Sequence, residues 1–205
     1  MRRMLTMLAM AAVAALAIGT ATVLAHDGQS GDEGTTAQQT CAPAQPGTTP
    51  TTNGQGEGKV AAADHGGDSQ GSSGDDNEQG DGGNNVIAGQ SGNDEIDGND
   101  GNDDLCGDQG DDDINGGPGD DVENGGPGND TMNGGTGNDI ENGQSGNDTE
   151  TGGPGKDQLN GGPGNDTIKA RDGQRDFINC GSGRDTVRAD RKDHVARNCE
   201  HVKRF

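Results

Sequence analysis

Along residues 71–169 an apolar side chain recurs on a nine-residue beat at the eighth place of seven of eleven units, as Ile87, Ile96, Leu105, Ile114, Met132, Leu159 and Ile168, and most of what lies between is glycine or polar. Solenoid repeats are usually about 20 to 50 residues long, but shorter beats occur, and one of nine with paired glycines is among them. Each unit then buries one side chain against its neighbours. Four units break the pattern. Glu78, Glu123, Glu141 and Glu150 stand at the inward eighth place, and in two of these units the apolar residue moves to position seven, as Val122 and Ile140. A buried, unpaired carboxylate is costly. The expectation is therefore either a shifted strand phase there or a middle stretch looser than its ends, with Glu78 marking a frayed first unit.

The polar positions keep the same beat. Eleven units run without a slip, with Gly at the first place of each, from Gly71 to Gly161, and at the fourth, from Gly74 to Gly164. The sixth place is Asp in all but one: Asp76, Asp94, Asp103, Asp112, Asp121, Asp130, Asp139, Asp148, Asp157 and Asp166, with Asn85 the exception. A chain that turns once per nine residues needs backbone conformations that glycine adopts cheaply, which accounts for positions one and four. Asn at position five, as in Asn93, Asn102, Asn129 and Asn147, is expected to tolerate the same left-handed region. Position six then places a carboxylate at the exit of the turn.

Composition and charge change the picture. With 24% hydrophobic residues, two Phe, no Trp or Tyr and 41 Gly, the chain has too little apolar surface to close an ordinary core. Between residues 71 and 168 there are 24 Asp and Glu against a single base, Lys156. Such a segment repels itself unless counter-charge arrives. Its carboxylates are in register with glycines and not gathered in blocks, which favours small, hard cations held by oxygen over a polycation. The sign of the charge excludes nucleic acid as a partner.

The units GGPGNDTMN (125–133) and GGPGNDTIK (161–169) resemble the hemolysin-type calcium-binding repeat of RTX proteins, a likeness that covers about half the chain. The resemblance implies an all-β fold, a parallel β-roll solenoid of glycine-rich nonapeptides. In it six residues turn, three form a short strand, and two units complete a coil, with position eight pointing between two thin sheets. Calcium would lie between the turns of units n and n+2, bound by the sixth-position Asp side chains and by backbone carbonyls. Eleven units allow at most nine such pairs, and nine divalent ions would nearly cancel the net charge of −23 in residues 71–168. The stretch starting at Asp111 opens like an EF-hand loop but has Val122 where the twelfth-position Glu belongs.

The flanks differ in kind. Arg2 and Arg3 precede an apolar stretch over residues 7–18, and Val23, Leu24 and Ala25 come before a polar His26. Residues 1–25 read as a signal peptide cleaved near Ala25, the apolar run being shorter than the ~20 residues of a membrane span. No integral span is then expected after cleavage. Residues 26–70, rich in Thr, Gln, Pro and Gly, read as a disordered spacer. After Lys169 the beat degrades into units of ten, nine and eight residues that keep Asp176, Asp185 and Asp193 at the sixth place and Ile178, Val187 and Val195 at the inward one. Residues 170–205 are thus expected to be a calcium-poor, degenerate C-terminal cap. Residues 169–205 carry ten bases against six acids, together with both aromatic residues, Phe177 and Phe205. In an exported chain the four Cys suggest disulfides, Cys180 with Cys199 first and Cys41 with Cys106 as the remainder. A zinc site from Cys180, His194, Cys199 and His201 has the ligand types without a known spacing.

No HExxH and no P-loop occurs. The functional expectation is a secreted, extracellular, non-enzymatic calcium-binding protein that folds on binding its ion. The alternative is a calcium-dependent adhesion or envelope module that uses the ordered roll or the basic cap. Ice binding would need a regular file of Thr, and position three varies too much to supply one.

Overall fold

A nonapeptide with one buried side chain is stable only when stacked, and each unit here forms half of a coil. The structure, a computed structural model, describes residues 69–205 and the backbone of Val60–Ala62. The expected signal peptide, the greater part of the spacer, and Cys41 lie outside the described residues.

Apart from Pro163–Gly164 and Ser182–Gly183, which pair in a two-stranded sheet of their own, consecutive strands go to opposite sheets, and every pairing is parallel. The first sheet is built from Val60–Ala62, Asn77–Gln79, Glu95–Asp97, Asp113–Pro118, Thr131–Thr136, Thr149–Thr151, Thr167–Ala170, Thr186–Ala189 and His201–Arg204. The second is built from Ser69–Gln70, Val86–Ala88, Asp104–Cys106, Val122–Pro127, Ile140–Ser145, Gln158–Asn160, Phe177–Asn179 and His194–Val195. Partners lie two units apart, as in Glu95↔Asp113 and Asp113↔Thr131, so two nonapeptides make one coil of a β-roll. Among the described residues there is no helix, and therefore none long and apolar enough to cross a membrane. Pairing begins ahead of Gly71, since Val60–Ala62 and Ser69–Gln70 already lie in the two sheets.

The central residue of each three-residue strand points between the sheets. Ile87, Ile96, Leu105, Ile114 and Met132 form one buried apolar cluster, and Leu159, Ile168, Ala170, Ile178, Cys180, Val187 and Ala189 form another. The inward glutamates separate them. The strand phase does not shift there: Leu105↔Glu123, Glu123↔Glu141 and Glu141↔Leu159 are in register, as are Met132↔Glu150 and Glu150↔Ile168. Nor is the stretch short of pairing, because Val122–Pro127, Thr131–Thr136 and Ile140–Ser145 are six residues long where most other strands have two to four. Glu78 is likewise buried and paired with Ala61 and Ile96, so the first unit is not frayed.

The turns correct two backbone expectations. Position four does take positive φ, as at Gly101 (138°), but position one does not; position two does, both in glycine, as Gly117 (102°), and in other residues, as Asp108 (70°). Asn93, Asn102, Asn129 and Asn147 at position five are not left-handed. Their role is a ladder: the Asn147 backbone and side-chain N–H groups both donate to Asn129 Oδ1, at 2.9 Å, and Asn165 repeats the bonds to Asn147.

Cys180 and Cys199 form a disulfide, which removes both thiols from any zinc site. Cys106 is also disulfide-bonded. Ile178 and Val187 are buried as expected and Val195 is partly so. Leu105 is fully buried where Thr131 is exposed. Leu105→Ala is expected to lower the stability of the calcium-loaded chain by about 2 to 5 kcal/mol in denaturant unfolding, and Thr131→Ala to change it by no more than about 0.5 kcal/mol.

Candidate metal centre

Because partners are two units apart, each sixth-position Asp lies directly above its counterpart in the next coil. The backbone N–H of Asp94 donates to Asp112 Oδ1 at 2.8 Å, that of Asp112 to Asp130 Oδ1 at 2.9 Å, and that of Asp130 to Asp148 Oδ1 at 2.9 Å. The other edge of the roll repeats this through Asp103, Asp121, Asp139 and Asp157, with Asn85 donating at the start of the row. One oxygen of each carboxylate thus serves the fold.

The other oxygen has no partner. Oδ2 is buried and accepts no hydrogen bond in Asp94, Asp103, Asp112, Asp121, Asp130, Asp139, Asp148, Asp157 and Asp166. Buried polar atoms are nearly always satisfied, so nine orphans at equivalent places identify a site type and not a set of accidents. Asp76 stands apart, since its Oδ2 accepts from the Ser72 backbone N–H and hydroxyl at 2.6 and 2.7 Å.

Each orphaned oxygen faces the first-position glycine of its own unit, joined in several coils by the carbonyl of the first-position glycine one coil on. A Cβ at Gly116 would lie 2.5 Å from Asp121 Oδ2 and 2.7 Å from Gly134 O; one at Gly143 would meet Asp148 Oδ2 and lie 2.7 Å from Gly161 O. First-position glycine is therefore needed for room and not for its φ. The cradle it leaves is lined by a carboxylate oxygen and a carbonyl oxygen, hard donors that fit a hard cation. Among the described residues no three His, Cys, Asp or Glu side chains gather as a metal cluster, which agrees with a site drawing on one carboxylate and main-chain carbonyls.

Two of the sixth-place aspartates of the degenerate units, Asp176 and Asp185, which the sequence places in a calcium-poor cap, also have an orphaned Oδ2. Their Oδ1 atoms hold the same rungs, accepting from the backbone N–H groups of Asp157 and Asp166 at 3.0 Å. Their units, however, begin with Ala170 and Cys180, and the following one with Ala189, all fully buried in the apolar cluster. A Cβ thus stands where the other units leave the cradle open. Loss of first-position glycine is the sequence signal that separates these aspartates from the rest.

Burial raises the carboxyl groups of Asp94, Asp121, Asp139, Asp157 and Asp166 to about 6, with charge from neighbouring aspartates adding to the shift. Asp130 and Asp176 reach about 7 for the same reasons. Folded values above the ~3.9 of an unfolded Asp give a stabilising contribution that is complete below about pH 4 and lost as pH rises through 6 to 7. Without metal, acid favours the roll. In chelator, β signal in circular dichroism is expected to grow as pH falls from 7.5 to 4.5; a signal that is flat or weakens would contradict this assignment of the buried carboxylates.

Residues 70–105, 79–114, 107–141, 115–150 and 151–187 match the RTX calcium-binding nonapeptide repeat, a family of calcium-binding sequences, and together these stretches cover more than half of the chain. No curated protein matches it.

Proposed function

The chain belongs to the RTX calcium-binding nonapeptide repeat family, and from that membership we propose that it is a secreted, non-enzymatic calcium-binding protein whose roll orders as the ion is taken up. The observation that carries this reading is the row of orphaned Oδ2 atoms, each facing the open cradle of a glycine. Asp94, Asp103, Asp112, Asp121, Asp130, Asp139, Asp148, Asp157 and Asp166 are the proposed ligands, with Asp76 closing the row at its first turn. Carbonyls such as Gly134 O and Gly161 O complete the donor set. Calcium bound there supplies the positive charge that a net −23 over residues 71–168 lacks. Residues 71–169 form the binding segment in this reading, 170–205 a metal-poor cap, 26–70 a spacer and 1–25 an export signal. The Cys180–Cys199 disulfide supports an oxidising, extracellular location.

Binding and folding are then one equilibrium, and an affinity on the order of 10⁻⁴ to 10⁻³ M would suit an extracellular module. In chelator at neutral pH the mature chain is expected to give a coil-like circular dichroism spectrum, with β signal rising cooperatively on calcium addition and far less on magnesium. A flat calcium titration would remove the proposal.

A second reading, calcium-dependent attachment to an anionic surface, is favoured by one patch on the cap. Lys169, Arg188 and Lys203 are exposed and in register on adjacent strands, and Arg171 stacks 4.2 Å from the centre of the Phe205 ring nearby. Calcium-loaded chain is expected to be retained on an immobilised sulfated polysaccharide, and the triple change of Lys169, Arg188 and Lys203 to Gln to lose most of that retention. Equal retention of parent and triple variant would dismiss this patch as the contact.

A further inference from the structure

Where one unit meets the next, the repeat often composes a chemically labile dipeptide. Five junctions within residues 71–169 read Asn then Gly: Asn115 and Gly116, Asn124 and Gly125, Asn133 and Gly134, Asn142 and Gly143, and Asn160 and Gly161. At such a junction the glycine nitrogen can attack the side-chain amide carbon of the Asn. A C–N bond forms, the amide nitrogen leaves as ammonia, and water then opens the succinimide ring to aspartate or to isoaspartate. Glycine favours ring closure because it has no side chain in the way and its backbone reaches conformations closed to other residues.

The folded roll holds both reacting groups. The Asn amides lie in two ladders, one on each sheet. On the first sheet Asn133 Nδ2 donates to Asn115 Oδ1 at 2.6 Å, and Asn115 Nδ2 to Asp97 Oδ1 at 3.0 Å. On the second, Asn160 Nδ2 donates to Asn142 Oδ1 at 2.8 Å, and Asn142 Nδ2 to Asn124 Oδ1 at 3.2 Å. The attacking nitrogens are held as well. Gly134 N–H donates to Glu141 Oε1 at 3.1 Å, Gly143 N–H to Glu150 Oε1 at 3.2 Å, and Gly161 N–H to the Asn179 carbonyl at 3.0 Å. Gly116 N–H is engaged by the Glu123 carboxylate in the same manner, and Gly125 is buried within the strand Val122–Pro127. In a strand the side chain stands off the sheet while the next N–H lies in its plane, which keeps nitrogen and amide carbon apart. Three of the inward glutamates thus each bind the N–H of a labile junction.

We propose that these five junctions are a modification site gated by calcium, closed in the ordered roll and open in the metal-free chain, where they convert to aspartate and isoaspartate. The inference rests on the reading that calcium orders the roll. Isoaspartate carries the chain through its own Cβ and so adds one backbone atom to a unit whose stacking depends on a fixed length. A unit altered in this way no longer matches its neighbours two units away. Time spent without metal is then recorded irreversibly, as a loss of the capacity to refold.

The test follows the mature chain at neutral pH in calcium, in chelator and in urea, with deamidation located by peptide mass spectrometry and isoaspartate by enzymatic methylation. In calcium the five junctions are expected to react at least about tenfold more slowly than in urea, because only the opened fraction reacts. In chelator they are expected to react at close to the urea rate. Chain held in chelator until it has deamidated is expected to regain little β signal with fresh calcium, whereas Asn133→Asp, which adds a charge without lengthening the backbone, still orders. Equal rates in calcium and in urea overturn the inference. Circular dichroism of the same samples separates the two readings: calcium binding stands if the roll has formed, and falls with the inference if it has not. Slow reaction in calcium and chelator alike, against fast reaction in urea, overturns the calcium gate, because the roll then forms without metal. Deamidated chain that regains its full β signal overturns the irreversible loss.

Discussion

A buried carboxylate with one oxygen tied across the coil and the other left open is the interaction on which this roll depends. The tied oxygen, as in Asp112 Oδ1 receiving the Asp94 N–H, fixes the register of successive coils. The open oxygen, Asp112 Oδ2, is what that register leaves unsatisfied. Stacking therefore creates both the order and the penalty together, and in the proposed function a hard cation in the cradle would convert the penalty into binding energy. Glycine at position one belongs to the same device, since a Cβ at Gly116 would occupy the space the oxygens surround.

Along the chain the means of filling the interior changes. The early coils pair a narrow apolar cluster, Ile87 to Met132, with open cradles at their edges. In the middle, Glu123, Glu141 and Glu150 take the place of apolar residues and separate the two clusters. At the C-terminal end Ala170, Cys180 and Ala189 stand at the first position of their units, and the Cys180–Cys199 bond joins the apolar cluster. Covalent and apolar packing there does what metal is proposed to do in the regular units. A solenoid needs an end that does not recruit another repeat, and these coils differ from the rest at the position that makes a cradle.

Much of this was legible in the sequence. The nine-residue beat carried the roll, the two-unit coil and the inward row of Ile87, Leu105 and Ile114, because a period fixed by stacking leaves one side chain per unit no alternative place. The reason for each glycine was less legible. Composition suggests conformational freedom at position one, whereas the structure shows that freedom at position two and a need for room at position one, a distinction that exists only between coils 18 residues apart. Asn129 and Asn147 read as turn formers for the same reason, although they are rungs of a ladder. The inward glutamates suggested a slipped or looser middle. Their backbone N–H partners, Gly134 and Thr151 for Glu141, come from another part of the unit and from the opposite sheet, so a single unit gives no sign that a carboxylate there has hydrogen bonds.

If divalent metal is what allows so acidic and so apolar-poor a chain to condense, its dimensions in solution must follow the metal. Small-angle X-ray scattering of the mature chain at neutral pH is the most direct measurement. The account predicts an expanded, coil-like profile in chelator that contracts to a folded particle once calcium is added. The same compact profile after exhaustive removal of metal would contradict it.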